Sequence, residues 1–292
     1  MRIGVIGLGL IGGSFALAIR RAHPSAVVVG TDRDEAAIDA ALQRGVVDAA
    51  ATLPELGACD ALMIAVPVRQ MPELFARLSS HLQSNCVVTD AGSTKGAVIE
   101  AARTTFGAHV AQFVPGHPIA GRERSGVGAA AGELFEARHV VLTPLEENDP
   151  AAIDRVEQLW QSCGARVVRL EAGEHDRVFA AVSHLPHIIA FALVDELAAR
   201  PNARQLFTFA ASGFRDFTRI AGSSPDMWRD IALDNGAALA EECRRIEERL
   251  AALRRAIEAR DGETLHTAMQ RARAAREHWM AGELAGFRDD AA

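Results

Sequence analysis

The first thirteen residues, MRIGVIGLGLIGG, constrain the fold more than any other stretch. RIGVIG reads as a short strand, and residues 11–22 read as the helix that follows it. Between them, Gly7, Gly9 and Gly12 fit the pattern G-x-G-x-x-G. The first glycine permits a tight turn, the second lets the backbone approach a pyrophosphate, and the third lets helix and strand pack closely. The helix N-terminus then points free N–H groups at the phosphates. A second strand, AVVVGTD, ends at Asp32, 25 positions after Gly7. A carboxylate there accepts hydrogen bonds from the adenine-ribose hydroxyls and repels a 2′-phosphate, which favours NAD over NADP. Arg33 beside it works against that preference. The dinucleotide contacts expected are Gly7, Leu8, Gly9, Leu10, Ile11, Gly12, Asp32 and Arg33, with Val66 and Pro67 at the end of the later strand ALMIAVP. A glycine turn used only for packing is the alternative.

The segments ALMIAVP, NCVVTDAG, QFVPG, HVVLTP and ARVVRL continue the alternation of strand and helix. Continuous Val/Ile/Leu runs separated by helices predict a doubly wound parallel sheet covered on both faces. A Rossmann-type α/β domain is therefore expected over residues 1–171, and an all-α domain over 172–292, where no convincing strand is found. Within the helical half, Leu239, Cys243, Ile246, Leu250, Leu253 and Ile257 recur at spacings of four and three. That is a seam for packing inside one subunit or between two.

Composition removes several classes. The net charge is −7 with no long basic run, so no nucleic-acid footprint is visible. No uninterrupted apolar stretch of about 18 residues predicts a membrane span. FAAVSHLPHIIAFALV comes closest, and two histidines and a proline interrupt it. The apolar N-terminus carries fixed glycines and no small-residue cleavage site, unlike a signal peptide. Four scattered cysteines form no C-x-x-C pair and fit reduced thiols in a cytoplasmic protein. The chain has no tyrosine, which excludes dehydrogenase mechanisms built on a tyrosine acid or base. Its one lysine is Lys95, so no lysine-dependent mechanism can operate in the C-terminal half.

Three stretches concentrate polar residues that folding does not require. TDAGSTKG, residues 89–96, follows a strand and opens a helix, which puts Ser93 at the sheet's ligand-binding edge; capping that helix is its plainer role. VPGHPIAGRERSG, residues 114–126, carries His117 just past a short strand ending at Pro115–Gly116, on an expected loop. SHLPHIIAFAL sets Ser183, His184 and His187 on one predicted helix. No further ligands stand at metal-binding spacing, so an anion contact or a core role is expected for these histidines rather than a metal site. Arg219 and Trp228 follow in SGFRDFTRIAGSSPDMW.

These motifs, in this order and over nearly the whole chain, resemble the prephenate dehydrogenase family, which includes arogenate and cyclohexadienyl dehydrogenases. The resemblance rests on GLGLIGGS, DAGSTKG, GHPIAGRERSG, SHLPHIIAFAL and GFRDFTRIAGSSPDMWRDI. It implies a homodimer joined through the C-terminal helices and oxidative decarboxylation of prephenate to 4-hydroxyphenylpyruvate, in tyrosine biosynthesis. His117 matches the histidine that takes the ring hydroxyl's proton, and Ser93 a serine hydrogen-bonded around it. His187 and Arg219 match substrate-binding positions, Trp228 matches a pocket-lining one, and Ser183 and His184 stand beside them. Glu123 falls where the family reads the substrate's side chain. An acidic group there suits the amine of arogenate, while the flanking Arg122 and Arg124 offset it, so arogenate or dual use stays open beside prephenate. A non-catalytic dinucleotide sensor would leave the last three motifs unexplained.

Overall fold

The computed structural model describes residues 1–122 and 124–283. Backbone contacts divide the chain into two compact units, Met1–Leu239 and Ala240–Ala292. In the first unit the chain runs β1 (Arg2–Ile6), α1 (Leu10–Ala22), β2 (Val27–Thr31), α2 (Glu35–Gln43), β3 (Ala49–Ala50), α3 (Leu53–Gly57), β4 (Ala61–Ile64), α4 (Met71–Leu78), β5 (Val87–Asp90), α5 (Gly96–Thr105) and β6 (Phe113–Val114). These six strands are parallel, in the order β3-β2-β1-β4-β5-β6. The strands read as unbroken apolar runs because both faces are covered. Phe15 and Val28 belong to one core, and Phe75, Phe106 and Phe113 to the other. Strand order reverses between β1 and β4, and ligands bind in the crevice at the carboxyl ends of strands at such a point.

The chain continues through β7 (Gly116–Pro118), β8 (His139–Leu142), α6 (Pro150–Ser162) and β9 (Arg166–Arg169). HVVLTP and ARVVRL do not extend the main sheet, contrary to the expectation of a single series. They form a second, three-stranded sheet of order β7-β8-β9, in which β7 pairs antiparallel with β8, and β8 parallel with β9. Pro115 is the physical reason. It has no N–H to give a ladder, so β6 stops and the chain turns into a different sheet. His117 is therefore a strand residue opposite Val141, not a loop residue.

The helices then run α7 (Ala172–Phe179), α8 (Leu185–Ala198), α9 (Ala203–Thr208), α10 (Ser212–Thr218) and α11 (Pro225–Asp234). A π-helical turn over Ala180–His184 joins α7 to α8. The resulting helix, Ala172–Ala198, is long and apolar enough to cross a membrane by length and composition alone. It also carries His175, Asp176, His184 and His187, whose polar contacts lie within the same unit. α12 (Gly236–Glu258) spans the division between the units, and α13 (Gly262–Ala281) lies in the second. In that second unit, Arg244–Glu248, Arg254–Glu258 and Arg273–Glu277 form exposed i,i+4 pairs, which solvent screens.

Trp160 of α6 is fully buried, with ring edges against Phe15 at 5.0 Å and Phe135 at 5.2 Å. Trp160→Ala is expected to cost about 3–5 kcal/mol of folding stability in urea unfolding. A loss below about 1 kcal/mol would show that this cluster is not the anchor of its layer.

Candidate active site

The glycine turn is shaped by close approach. Gly7 has φ +92°, and a side chain there would meet the Ala65 carbonyl oxygen at 2.5 Å. A Cβ on Gly12 would lie 2.0 Å from the Gly7 carbonyl oxygen. Among the described residues nothing lies within 4 Å of the missing Cβ of Gly9, so they leave space open above the turn. Gly9 also caps α1 without any side-chain hydrogen bond, which leaves the first-turn N–H groups to an incoming anion. Asp32 holds the edge of this cradle: its carboxylate accepts from Leu8 N–H at 2.7 Å and from Asp34 N–H at 3.0 Å.

Leu8 differs from the other expected cofactor contacts. Its side chain is wholly in the core and its N–H is already taken by Asp32. Gly9, Leu10 and Ile11 are half-buried at the mouth of the turn, and Arg33 is exposed. Val66 stands across the switch point, its side chain 3.2 Å from the position of a Gly7 Cβ, and Pro67 beside it is exposed. Bare glycines, an open helix N-terminus and a fixed carboxylate together fit a dinucleotide.

A second framework aims His117. Asp90 ends β5 and Lys95 precedes α5, and both side chains are fully buried. Lys95 Nζ donates to Asp90 Oδ2 at 2.6 Å and to the Gly116 carbonyl at 2.6 Å. Asp90 Oδ1 accepts from Gly116 N–H at 3.0 Å, and Oδ2 accepts from Gly92 N–H at 2.7 Å. Both backbone groups of Gly116 are thereby fixed, and His117 is the next residue. Burial holds the His117 imidazole well below its ordinary pKa, and His175, Lys95 and His184 push in the same direction. His117 is a neutral ring at working pH.

His117 Nδ1 lies 2.9 Å from His175 Nε2, and His175 Nδ1 lies 2.8 Å from Asp176 Oδ1. Phe179 packs its ring edge-on against His117 at 4.8 Å. Asp176 reaches from α7 to the start of α5, where it accepts from the N–H groups of Lys95 and Gly96, each at 2.9 Å. The α5 terminus is thus held by Asp176, and the helix begins three residues after Ser93. Ser93 does not cap it. Half-buried, Ser93 sits in the turn between Asp90 and Lys95.

The remaining histidines divide into two kinds. His184 is buried, and burial lowers its pKa to about 4. Its Nδ1 faces Asn235 Nδ2 at 3.2 Å, and Asn235 also donates to the Asp176 carbonyl at 2.7 Å. His184 Nε2 and Trp228 Nε1 are buried without partners among the described residues. His187 is half-buried and stacks on Trp228 with ring centroids 3.5 Å apart. Its Nδ1 bonds the Ser183 carbonyl at 3.0 Å. Burial lowers the His187 pKa, and the nearby charge of Arg219 adds to the effect. Arg219 itself is exposed, in the 3₁₀ turn after α10. Ser183 is half-buried, and Glu123 lies outside the described residues.

His175, Asp176, Asp90 and Asn235 were not legible as site residues. EHDRVF resembles the polar opening of any helix, and Asn235 stands in a helix junction. Only the single lysine, five residues after an aspartate in TDAGSTKG, carried a usable signal.

Residues 15–169 match the nucleotide-binding domain of prephenate dehydrogenase, and residues 171–271 match the dimerization domain of the same family. The prephenate dehydrogenase of Bacillus subtilis (strain 168) is 40% identical over 263 residues, spanning 89% of this chain and 71% of the relative. A cyclohexadienyl dehydrogenase of Zymomonas mobilis is 34% identical over 90% of both chains. The crystal structure of prephenate dehydrogenase from A. aeolicus, in complex with hydroxyphenyl propionate and NAD+, superposes with a TM-score of 0.89 at 35% identity, over 95% of this chain and 98% of that one. The glycine cradle, the strand-borne His117 and the two matched domains lead to one conclusion: this chain belongs to the prephenate dehydrogenase family.

Proposed function

We propose that this chain catalyses the NAD-dependent oxidative decarboxylation of prephenate to 4-hydroxyphenylpyruvate. The observation that carries it is His117: a neutral imidazole, bonded through Nδ1 and held beside the carboxyl edge of the sheet by the Asp90–Lys95 pair. NAD, when bound, accepts the hydride from the ring carbon that bears the hydroxyl. Gly7, Gly9, Leu10, Ile11 and Gly12 would hold its pyrophosphate, with Asp32, Arg33, Val66 and Pro67 around the remainder and Leu8 serving through the backbone.

His117 takes the proton of the ring hydroxyl as carbonyl character develops. Ser93 orients that hydroxyl from the half-buried turn beside it. Arg219 presents a planar fork suited to a carboxylate, and prephenate has two. His187, braced on Trp228 and on the Ser183 carbonyl, forms the wall beside Arg219. His184 contributes from behind, as a buried neutral ring rather than a charged ligand. Residues 1–171 act as the dinucleotide-binding half and 172–292 as the substrate and dimerisation half.

A homodimer through the C-terminal helices is part of the same proposal. Val182 is 67% exposed, Phe209 79% and Leu233 61%, and along the seam Leu239 is buried while Leu250 and Ile257 are 57% and 62% exposed. Apolar exposure on that scale marks a surface that a second copy covers. The protein works in the cytoplasm, where its dispersed cysteines stay reduced.

Mixing the protein with prephenate and NAD should produce NADH, faster than with NADP because Asp32 disfavours a 2′-phosphate; arogenate is the control for the competing substrate. Tight NAD binding with no turnover of either acid would contradict the assignment. His117→Asn should keep both ligands bound and lower kcat by about 10²–10⁴-fold. The working form of His117 is the neutral one, and its pKa in the fold is lowered. The acid limb of kcat/KM should therefore fall well below the ordinary histidine value of about 6.5. A limb at or above that value would remove His117 as the base. Replacing Leu250 and Ile257 together by glutamate should halve the mass seen in sedimentation; an unchanged mass would move the interface elsewhere.

A further inference from the structure

His175 and Asp176 have no part in the function so far assigned, yet His175 contacts its central residue and Asp176 holds His175. Protonation states along the line His117–His175–Asp176 follow by elimination. Burial of Asp176 favours its neutral form, but hydrogen bonds from His175 and from the Gly96 and Lys95 amides outweigh that and hold it below the usual carboxylate range. Asp176 is then an acceptor only, so His175 Nδ1 must carry a proton. Burial also keeps His175 neutral, opposed only in part by Asp176 and Asp90, with Lys95 adding to the effect of burial. Its Nε2 is therefore an acceptor, and at 2.9 Å the Nδ1 of His117 must be the donor. The lone pair of His117 is left on Nε2, the nitrogen with no hydrogen bond among the described residues. Among the described residues, Lys95 and His184 are the other charged or titratable groups that bear on His117.

We propose that His175 and Asp176 are positioning residues of a three-member relay that fixes His117 as an Nε2 base and shares its charge once the proton has arrived. The inference rests on the reaction assigned above. There, the O–H bond of the ring hydroxyl breaks, its proton forms N–H at His117 Nε2, and the oxygen's electron pair completes the carbonyl as the hydride leaves. The imidazolium so formed donates a charge-assisted hydrogen bond from Nδ1 to His175, which Asp176 backs. The bond to the departing carboxyl group then breaks and its electron pair aromatises the ring. The ring oxygen becomes a phenolate and takes the proton back from Nε2. No net proton is released, so the relay has only to hold charge between two steps. Its inner end suits that: Asp176 is 14% exposed and anchored on the N–H groups that open α5, rather than leading to solvent.

The test is ¹⁵N NMR of histidine-labelled full-length protein, read together with kinetics. Wild-type His117 should carry its proton on Nδ1 with Nε2 bare. Asp176→Ala removes the acceptor that holds the proton on His175 Nδ1, so both tautomers are free to reverse; in an Asn variant the amide oxygen would stay on His175 and on the Lys95 N–H. His117 should then carry Nε2–H, and kcat should fall about 10²–10⁴-fold, as for other wrong-tautomer histidines. KM for prephenate and NAD should stay within about threefold. A purely structural Asp176 would lower thermal stability and leave the tautomer and kcat alone, which would overturn the relay. An Nε2–H tautomer in the wild type would overturn it too, and that spectrum decides the matter even if the variant does not fold. A wild-type protein without turnover would instead overturn the assigned reaction.

Discussion

The site depends on one buried ion pair. Lys95 and Asp90 are fully enclosed, and between them they bind both backbone groups of Gly116. Burying two charges is costly, and removing one partner of such a pair typically loses about 3–5 kcal/mol because the other charge is stranded. Here the pair is retained in a place where its geometry matters: it ties the carboxyl end of β5 and the start of α5 to the strand that carries His117. The ammonium also lies close enough to disfavour a charged imidazole at His117 and at His175. One lysine therefore helps to place the base and adds to the burial that keeps it neutral.

The same region joins the sheets to the helices that follow. Asp176, from α7, supplies the carboxylate that α5 lacks at its own N-terminus, and the backbone carbonyl of Asp176 is held by Asn235. The interruption after Phe179 turns His184 and His187 to different tasks: the first is a buried ring with a depressed pKa, the second a braced wall on Trp228. Trp228 closes that wall without a partner for its own N–H among the described residues.

The sequence was readable where local rules operate alone. The glycine turn, Asp32 and the five principal strands of the main sheet follow from spacing and apolar runs, and the long helices follow from composition. It was misleading where a proline redirects the chain. His117 seemed bound for a loop because Pro115 and Pro118 flank it, yet the three residues Gly116–Pro118 form an edge strand of a second sheet. For Ser93 a helix cap stands open beside the site role, because nothing local shows that Asp176, 80 residues beyond Gly96, takes the α5 amides instead. His175 was invisible for the same reason, since its partner His117 lies 58 residues away. Burial and ring-nitrogen roles are tertiary properties, and no short pattern encodes them.

The central claim is that His117 presents its Nε2 to the reacting oxygen while its Nδ1 remains on His175. The most direct measurement is a crystal structure of the protein with NAD and 4-hydroxyphenylpyruvate. The phenolic oxygen should lie within hydrogen-bond reach of His117 Nε2, about 2.6–3.2 Å, with the bond to His175 intact. A phenolic oxygen held by another group, or a His117 ring turned away from His175, would contradict the account.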